Sequence, residues 1–402
     1  MKTKRSLLAA ASCIVLGLAG AGSALAEKVT LGVLTDMSGT FSDLSGAGSV
    51  EAARLAIEDF GGSVLGEKIE LVSADHQHKP EVGLNIARQW LDRDGVDVIL
   101  DVPNSGIALA VANLVKEKNR IAIYASAATD RLTEDSCTGS GLHWTFDTYS
   151  QTQAAAQALI GRGLDKWFLL VADYAYGHSM EKAMREAVTE HKGTIVGAVR
   201  HPLATMDFSS FLLQAQASKA NVVALASGGN DTITAIKQGR EFGLQDSGIR
   251  MTSLLTFITD IHALGLQDMQ GLQFMVPYYW DMDDKSREFA KRFFERMDKM
   301  PGEAQAGVYS GVLHYLKAVQ AVGSKDPQKV LEKMREMPVE DMFSRNGKLL
   351  PNGRMIHDMY LVEVKSPAES KYPWDYYKIL ATVPAEQAFR KLSESACPLT
   401  KK

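Results

Sequence analysis

The pattern that most restricts this chain is an alternation of short apolar runs with longer amphipathic ones, played through twice. In the first pass "KVTLGVLTD" (28–36) precedes "GSVEAARLAIEDFGG", where Val50, Ala53, Ile57 and Phe60 recur at three- and four-residue spacing on one helical face. "KIELVSAD" then gives way to "KPEVGLNIARQWLDRDG", with Pro80 suited to a first helical turn and Val82, Ile86 and Trp90 as its apolar stripe. "VDVILDV", a helix from about 106 and "RIAIYA" continue the series. After residue 147 it starts afresh. "KWFLLVAD", "TIVGAVRHPL", "NVVALASGG" and "IRMTSLLT" alternate with helical stretches, one of which Gly243 can end in a left-handed cap. Apolar strands joined by amphipathic helices predict parallel sheets covered on both faces, and two successive runs predict two doubly wound α/β lobes.

"GLQFMVPYYW" reads as a further strand, and from about 283 the pattern turns helix-rich before ending in the strands "DMYLVEVK" and "YYKIL". Such a tail makes a poor third domain. It reads better as chain returning to complete both lobes.

Residues 1–26 stand apart. Lys2, Lys4 and Arg5 precede an uncharged stretch ending Ala24-Leu25-Ala26, the form of a secretory signal with an A-x-A cleavage site after Ala26. With those three cations gone, the net charge moves from −4 to −7. That balance builds no nucleic-acid footprint and mainly favours solubility. Cys13 leaves with the leader. Cys137 and Cys397 remain, and an even pair in an oxidising compartment suggests a disulfide, two free buried thiols being the alternative.

Catalytic motifs find no support. There is no G-x-S-x-G elbow or phosphate-cradling G-x-x-x-x-G-K, and "GAGSVE" lacks the third glycine of a dinucleotide fingerprint. His76 and His78 in "DHQHK" have no further ligands at useful spacing, so a solvated strand-end loop is expected there and no metal or cofactor. One exit from a strand is unusual. "YASAATDRL" (124–132) breaks into small residues and hydroxyls, as a chain does where something must come close to its backbone.

Taken in order, "LGVLTDMSGTFSDLSGAGSVEAARLAIEDF", "YASAATDRLTE", "DYAYG" and "DFSSFLLQAQASKANVVALASGG" resemble the type I solute-binding proteins of branched-chain amino-acid ABC importers, the Leu/Ile/Val-binding family. "DFSSFLLQAQASKANVVALASGGNDT", "VYSGVLHYLKAV" and "YLVEVKSPAESKYPWDYYKIL" look most like a branch associated with aromatic acids such as hydroxycinnamates and benzoates. The resemblance implies an exported, periplasmic, monomeric receptor rather than an enzyme. Two lobes joined by three crossovers, 27–146 plus 278–354 and 147–277 plus 355–402, would close on a ligand and deliver it to a membrane permease. A branched-chain or other amino acid is the alternative ligand, and a sensor for a signalling partner is the alternative role.

The family's carboxylate-holding positions match Ser105 and Ser126-Ala127-Ala128-Thr129 here, and its ligand-contacting tyrosine matches Tyr176. Ser105 could equally be an ordinary N-cap. Gly228 and Gly229 stand where amino-acid binders carry more bulk, either making room for a longer ligand or only turning the strand into the next helix. Where those binders place a carboxylate for the α-ammonium, this chain has Leu255, Thr256, Phe257 and Ile258, with Asp260 inside the following helix. Phe257, Tyr278 and Trp280 are expected to meet an aromatic ring. Asp173, Asp231 or Asp260 could still supply a charge from another angle.

Overall fold

The computed structural model describes residues 28–401, so the expected secretory leader lies outside the described residues. The first unit is a five-stranded parallel sheet of β1 (Thr30–Thr35), β2 (Glu70–Asp75), β3 (Val98–Asp101), β4 (Ile121–Tyr124) and β5 (Gly141–His143), ordered β2-β1-β3-β4-β5. The second is a four-stranded parallel sheet of β6 (Lys166–Ala172), β7 (Thr194–His201), β8 (Val222–Ala226) and β9 (Arg250–Ser253), ordered β9-β8-β6-β7. Every residue of β1, β3, β4 and β8 is buried, as parallel strands with helices on both faces require. β7 is a sheet edge, and exposed residues alternate along it.

The connecting helices follow the sequence pattern. They are α1 (Gly46–Phe60), α2 (Pro80–Gln89), α3 (Ser105–Glu117), α4 (Thr148–Ile160), α5 (Ala175–Glu190), α6 (Ser209–Ala217), α7 (Asn230–Glu241) and α8 (Ile258–Leu264). Pro80 does open α2, which loosens into a π turn over Trp90–Asp94. α3 begins one residue earlier than expected. Its N-cap is Asn104, whose side chain accepts from the Ile107 N–H, so Ser105 is the first helical residue and not the cap.

The tail holds α9 (Asp284–Met297), α10 (Glu303–Val322) and α11 (Pro327–Glu336), and α9 and α10 pack along α1. The late strands do not extend either parallel sheet. β11 (Met359–Val364) pairs antiparallel with β10 (Gln273–Val276) and with β12 (Tyr377–Val383) to form a third sheet.

Arg354 and His357 tie two of the chain's passages between units together. Arg354 is buried and donates to the carbonyls of Thr145 and Phe146, while its guanidinium stands 3.6 Å from Asp147 and over the Phe389 ring. His357 bonds the Thr145 carbonyl at 2.7 Å. The chain end also returns to the first unit. The Ala396 N–H and Ser395 hydroxyl meet the Glu134 carboxylate, and Cys397 is bonded to Cys137 with 5.6 Å between Cα atoms. Residues 395–397 therefore lie against 133–137, although the sequence division assigned them to the second lobe.

Candidate ligand-binding cleft

In open α/β sheets the loops at strand carboxyl ends face the crevice where ligands bind. Here both parallel sheets turn those ends toward one narrow cavity, closed down in this structure to about 10 Å³, roughly the room of a single water. The first unit lines it with Phe41 and Leu44 after β1, Pro103 and Ser105 after β3, and Ser126 and Ala128 after β4. The second contributes Tyr174 and Tyr176 after β6, and Leu255 and Phe257 after β9. None of these side chains is charged.

Of the positions expected from sequence, Ser105, Ser126, Ala128, Tyr176 and Phe257 are brought together, and five are not. Ala127 stands aside, its carbonyl 2.6 Å from His143 Nε2. The Thr129 hydroxyl lies 2.5 Å from that of Ser179 on α5, so it joins the two units rather than facing the cavity. Gly228 sits just behind the lining, where a Cβ would be 3.2 Å from Leu255. Tyr278 and Trp280 pack elsewhere. Tyr278 lies against Phe343 with its hydroxyl toward the Ser286 carbonyl, and Trp280 donates its indole N–H to the Trp374 carbonyl. The crossover buries those rings in its own packing, which leaves none for a ligand.

Sequence reasoning missed Phe41, Leu44, Pro103 and Tyr174, and it misread His76 and His78. His76 is fully buried, and burial pushes its imidazole down to about 4. The His78 ring packs edge-on to Phe41 and to Tyr174, with Nε2 3.0 Å from Asn104 Nδ2. Both histidines are held beneath the loop that carries Phe41. That loop is shaped by Asp36, which accepts the Gly39 and Phe41 N–H groups, and by Asp75, which accepts Ser38 Oγ and the Met37 N–H. Ligand-type atoms of Asp36, Asp75 and His76 lie within 4.8 Å of one another, but the carboxylate oxygens are already spent on those amides and that hydroxyl. An Asx turn in "TDMSGTF" was the available signal.

The polarity of the cavity comes from backbone and hydroxyls. α3 points its N-terminus into it at Ser105, and α5 does so at Tyr174–Tyr176 with no side chain capping that end. Aligned peptide dipoles make such ends positive. Gly177 lets α5 approach this closely, since a Cβ there would fall 1.8 Å from the Ala172 carbonyl oxygen. The Tyr176 hydroxyl is buried without a hydrogen-bond partner. An unsatisfied buried hydroxyl is costly, and a ligand oxygen would relieve it.

The carboxylates that could have met an ammonium are engaged. Asp173 pairs with His178, Asp231 accepts the Ala204 N–H, and Asp260 accepts the Phe257 N–H at the start of α8. Asp101, which the sequence did not single out, lies directly behind Ser126. It is fully buried and accepts hydroxyls from Thr35, at 2.7 Å, and from Ser126.

Two α/β units meeting over an uncharged cavity at their strand ends define a two-lobed small-molecule receptor of the type I binding-protein fold. The chain belongs to the periplasmic binding protein family, whose model matches residues 28–371. It is 46% identical to a periplasmic binding protein from Burkholderia mallei, covering 93% of this chain and 99% of that one with a TM-score of 0.91. It is 49% identical to a branched-chain amino-acid ABC transporter periplasmic ligand-binding protein from Burkholderia xenovorans, over 93% of this chain and 100% of that one, with a TM-score of 0.82. A solute-binding protein of an ABC transporter from R. palustris, solved with benzoate, shares the fold at 21% identity and a TM-score of 0.80, over 93% and 100% of the two chains.

Proposed function

We propose that this chain captures a small aromatic carboxylate, of the benzoate or hydroxycinnamate kind, and hands it to an ABC permease in the inner membrane. Residues 27–146 with 278–354 form one lobe and 147–277 with 355–402 the other, apart from the returning end, and the lobes close on the ligand by a hinge. The leader ending at Ala26 exports the protein to the periplasm. The reading assigns it no chemical step and no cofactor.

The observation that carries this reading is a lining of rings, aliphatic groups and hydroxyls beneath two helix N-termini, with no charged side chain in the cavity wall. An anion gains from the helix ends and from the Tyr176 hydroxyl, while Phe41, Tyr174, Leu255 and Phe257 bury the ring. Burying about 150 Å² of ring at about 25 cal/mol per Å² contributes near 4 kcal/mol before ordering costs. An α-ammonium in the same cavity would go unpaired, at a cost of several kcal/mol. The benzoate bound by the R. palustris protein is consistent with this choice.

A branched-chain amino acid is the second reading, favoured by the description of the B. xenovorans relative. A thermal-shift and isothermal titration panel of benzoate, 4-hydroxybenzoate, 4-hydroxycinnamate, leucine and valine separates them. Aromatic acids should raise the melting temperature and leucine should not. The reverse result overturns the proposal.

A further inference from the structure

We infer that Asp101 makes carboxylate capture proton-coupled: the pocket takes up an acid anion together with one proton, which comes to rest on Asp101. The inference rests on the carboxylate reading above, but not on the ring.

The argument is a count of protons around one hydroxyl. Ser126 lines the cavity beside Ser105, and its single hydroxyl proton is committed to Asp101 Oδ1. Thr35 cannot take over that duty, because its Oγ1 receives the Gly46 N–H at 3.0 Å and sends its own proton to Asp101 Oδ2. With Asp101 ionised, Ser126 therefore shows the cavity only lone pairs, and an arriving carboxylate meets an acceptor with a second anion directly behind it. Adding one proton to Asp101 removes the conflict. The acid then donates to Ser126 Oγ, and the Ser126 hydroxyl turns its proton to the ligand.

The surroundings favour that proton. Asp101 has no exposed surface, and burial raises its carboxyl above the usual range. Thr35 of β1 and Ser126 after β4 bond it and pull it partway back down, the Ser49 hydroxyl of α1 is buried without a hydrogen-bond partner, and Asp36, an anion beside Thr35, raises it further. The α3 end brings Asn104 and Ser105, neither of which ionises. Tyr124, level with Asp101 on β4, is buried and neutral, its hydroxyl pushed up by burial. The His78 imidazole stands 3.7 Å from Asp36. The main influences on Asp101 itself are burial and one anion, which raise its carboxyl, and two bonded hydroxyls, which lower it.

The test is titration of the whole mature protein with benzoate from pH 5.5 to 8.5, in buffers of different ionisation heat. We expect uptake of close to one proton per benzoate at the alkaline end, with affinity falling about tenfold per pH unit there. Asp101→Asn, whose amide donates to Ser126 permanently, should bind at pH 8.5 at least as tightly as the parent, with a flat pH profile. Buffer-independent heats with a flat parental profile overturn the inference. So does an Asp101→Asn variant that melts normally yet binds at least tenfold more weakly. Should that variant fail to fold, the proton count of the parent decides by itself. If leucine binds and benzoate does not, the ring assignment has failed, and the same proton count with leucine still judges Asp101.

Discussion

Gly229 and the carbonyl oxygen of Thr40 meet across the cleft so closely that a Cβ on the glycine would lie 2.4 Å from that oxygen. Thr40 belongs to the loop after β1 and Gly229 to the turn after β8, so the contact joins the two units. The glycine also holds φ +59 and ψ −138, a backbone region that L side chains avoid at a cost of about 1–3 kcal/mol. Gly229→Ala should therefore leave the sheets intact and hinder closure, weakening benzoate at least tenfold by isothermal titration. Small-angle scattering checks the cause. Saturating benzoate should contract the parent but not the variant.

Thr129 and Ser179 form a second tie between units, hydroxyl to hydroxyl at 2.5 Å and buried. One such bond contributes about 1 kcal/mol net, so Thr129→Val and Ser179→Ala should each weaken ligand binding about five-fold. A double-mutant cycle distinguishes this tie from a ligand contact. The double variant should be no weaker than the worse single one, and additive losses would return Thr129 to the ligand.

Tyr176→Phe removes the buried hydroxyl that lacks a partner. The free protein loses nothing by it, so its melting temperature should hold or rise slightly. If the hydroxyl donates to the ligand carboxylate, affinity should drop by about 1–3 kcal/mol. Unchanged titration would move the carboxylate to the α3 end.

Burial pushes the Asp260 carboxyl up to about 7 and the Glu303 carboxyl up to about 8. The folded chain thus keeps two protons that the unfolded chain releases near pH 4. Their contribution is complete below that pH, declines as pH rises through 7 and 8, and levels off above. His76 and His357, both held down to about 4 by burial, act oppositely and erode stability as pH falls below about 6.5. The two effects oppose each other in mildly acidic buffer, so melting scans should show a broad maximum there and a fall toward pH 8. Asp260→Asn with Glu303→Gln should flatten that alkaline fall, leaving Asp130 and Asp231, both pushed up to about 6, to oppose the histidine loss on the acid side. Each retained proton accounts for a slope of up to about 1.4 kcal/mol per pH unit.

The Cys137–Cys397 bond closes a separation of 260 residues. Chain entropy allows roughly 5 kcal/mol for so long a loop, an upper figure because the unfolded chain keeps residual structure. Reduction, or the double Cys→Ser variant, should lower the melting temperature and expose the 395–400 segment first to carboxypeptidase. Retained protection of that end would assign its anchoring to the Glu134 bonds instead.

The alternation of strand and helix was legible throughout because parallel strands buried on both faces must be continuously apolar, and their covering helices must carry a stripe. Ser105, Ser126, Ala128, Tyr176 and Phe257 were reached through the family resemblance, whose motifs fall at the strand carboxyl ends that the alternation marks. Phe41, Leu44 and Tyr174 were not. Their neighbours in the cavity lie far away along the chain, and no period links them.

The order of residues by itself determined two α/β units and the even cysteine pair, and left open whether Asp173, Asp231 or Asp260 would charge the cavity wall. Which aromatic rings face that cavity was decided only by tertiary structure, because Tyr278, Trp280 and Phe257 look alike in sequence and differ in what packs over them. The same holds for Asp101. A strand-end aspartate has no assigned polarity until folding buries it behind a serine from another strand, where one hydroxyl proton must serve two anions.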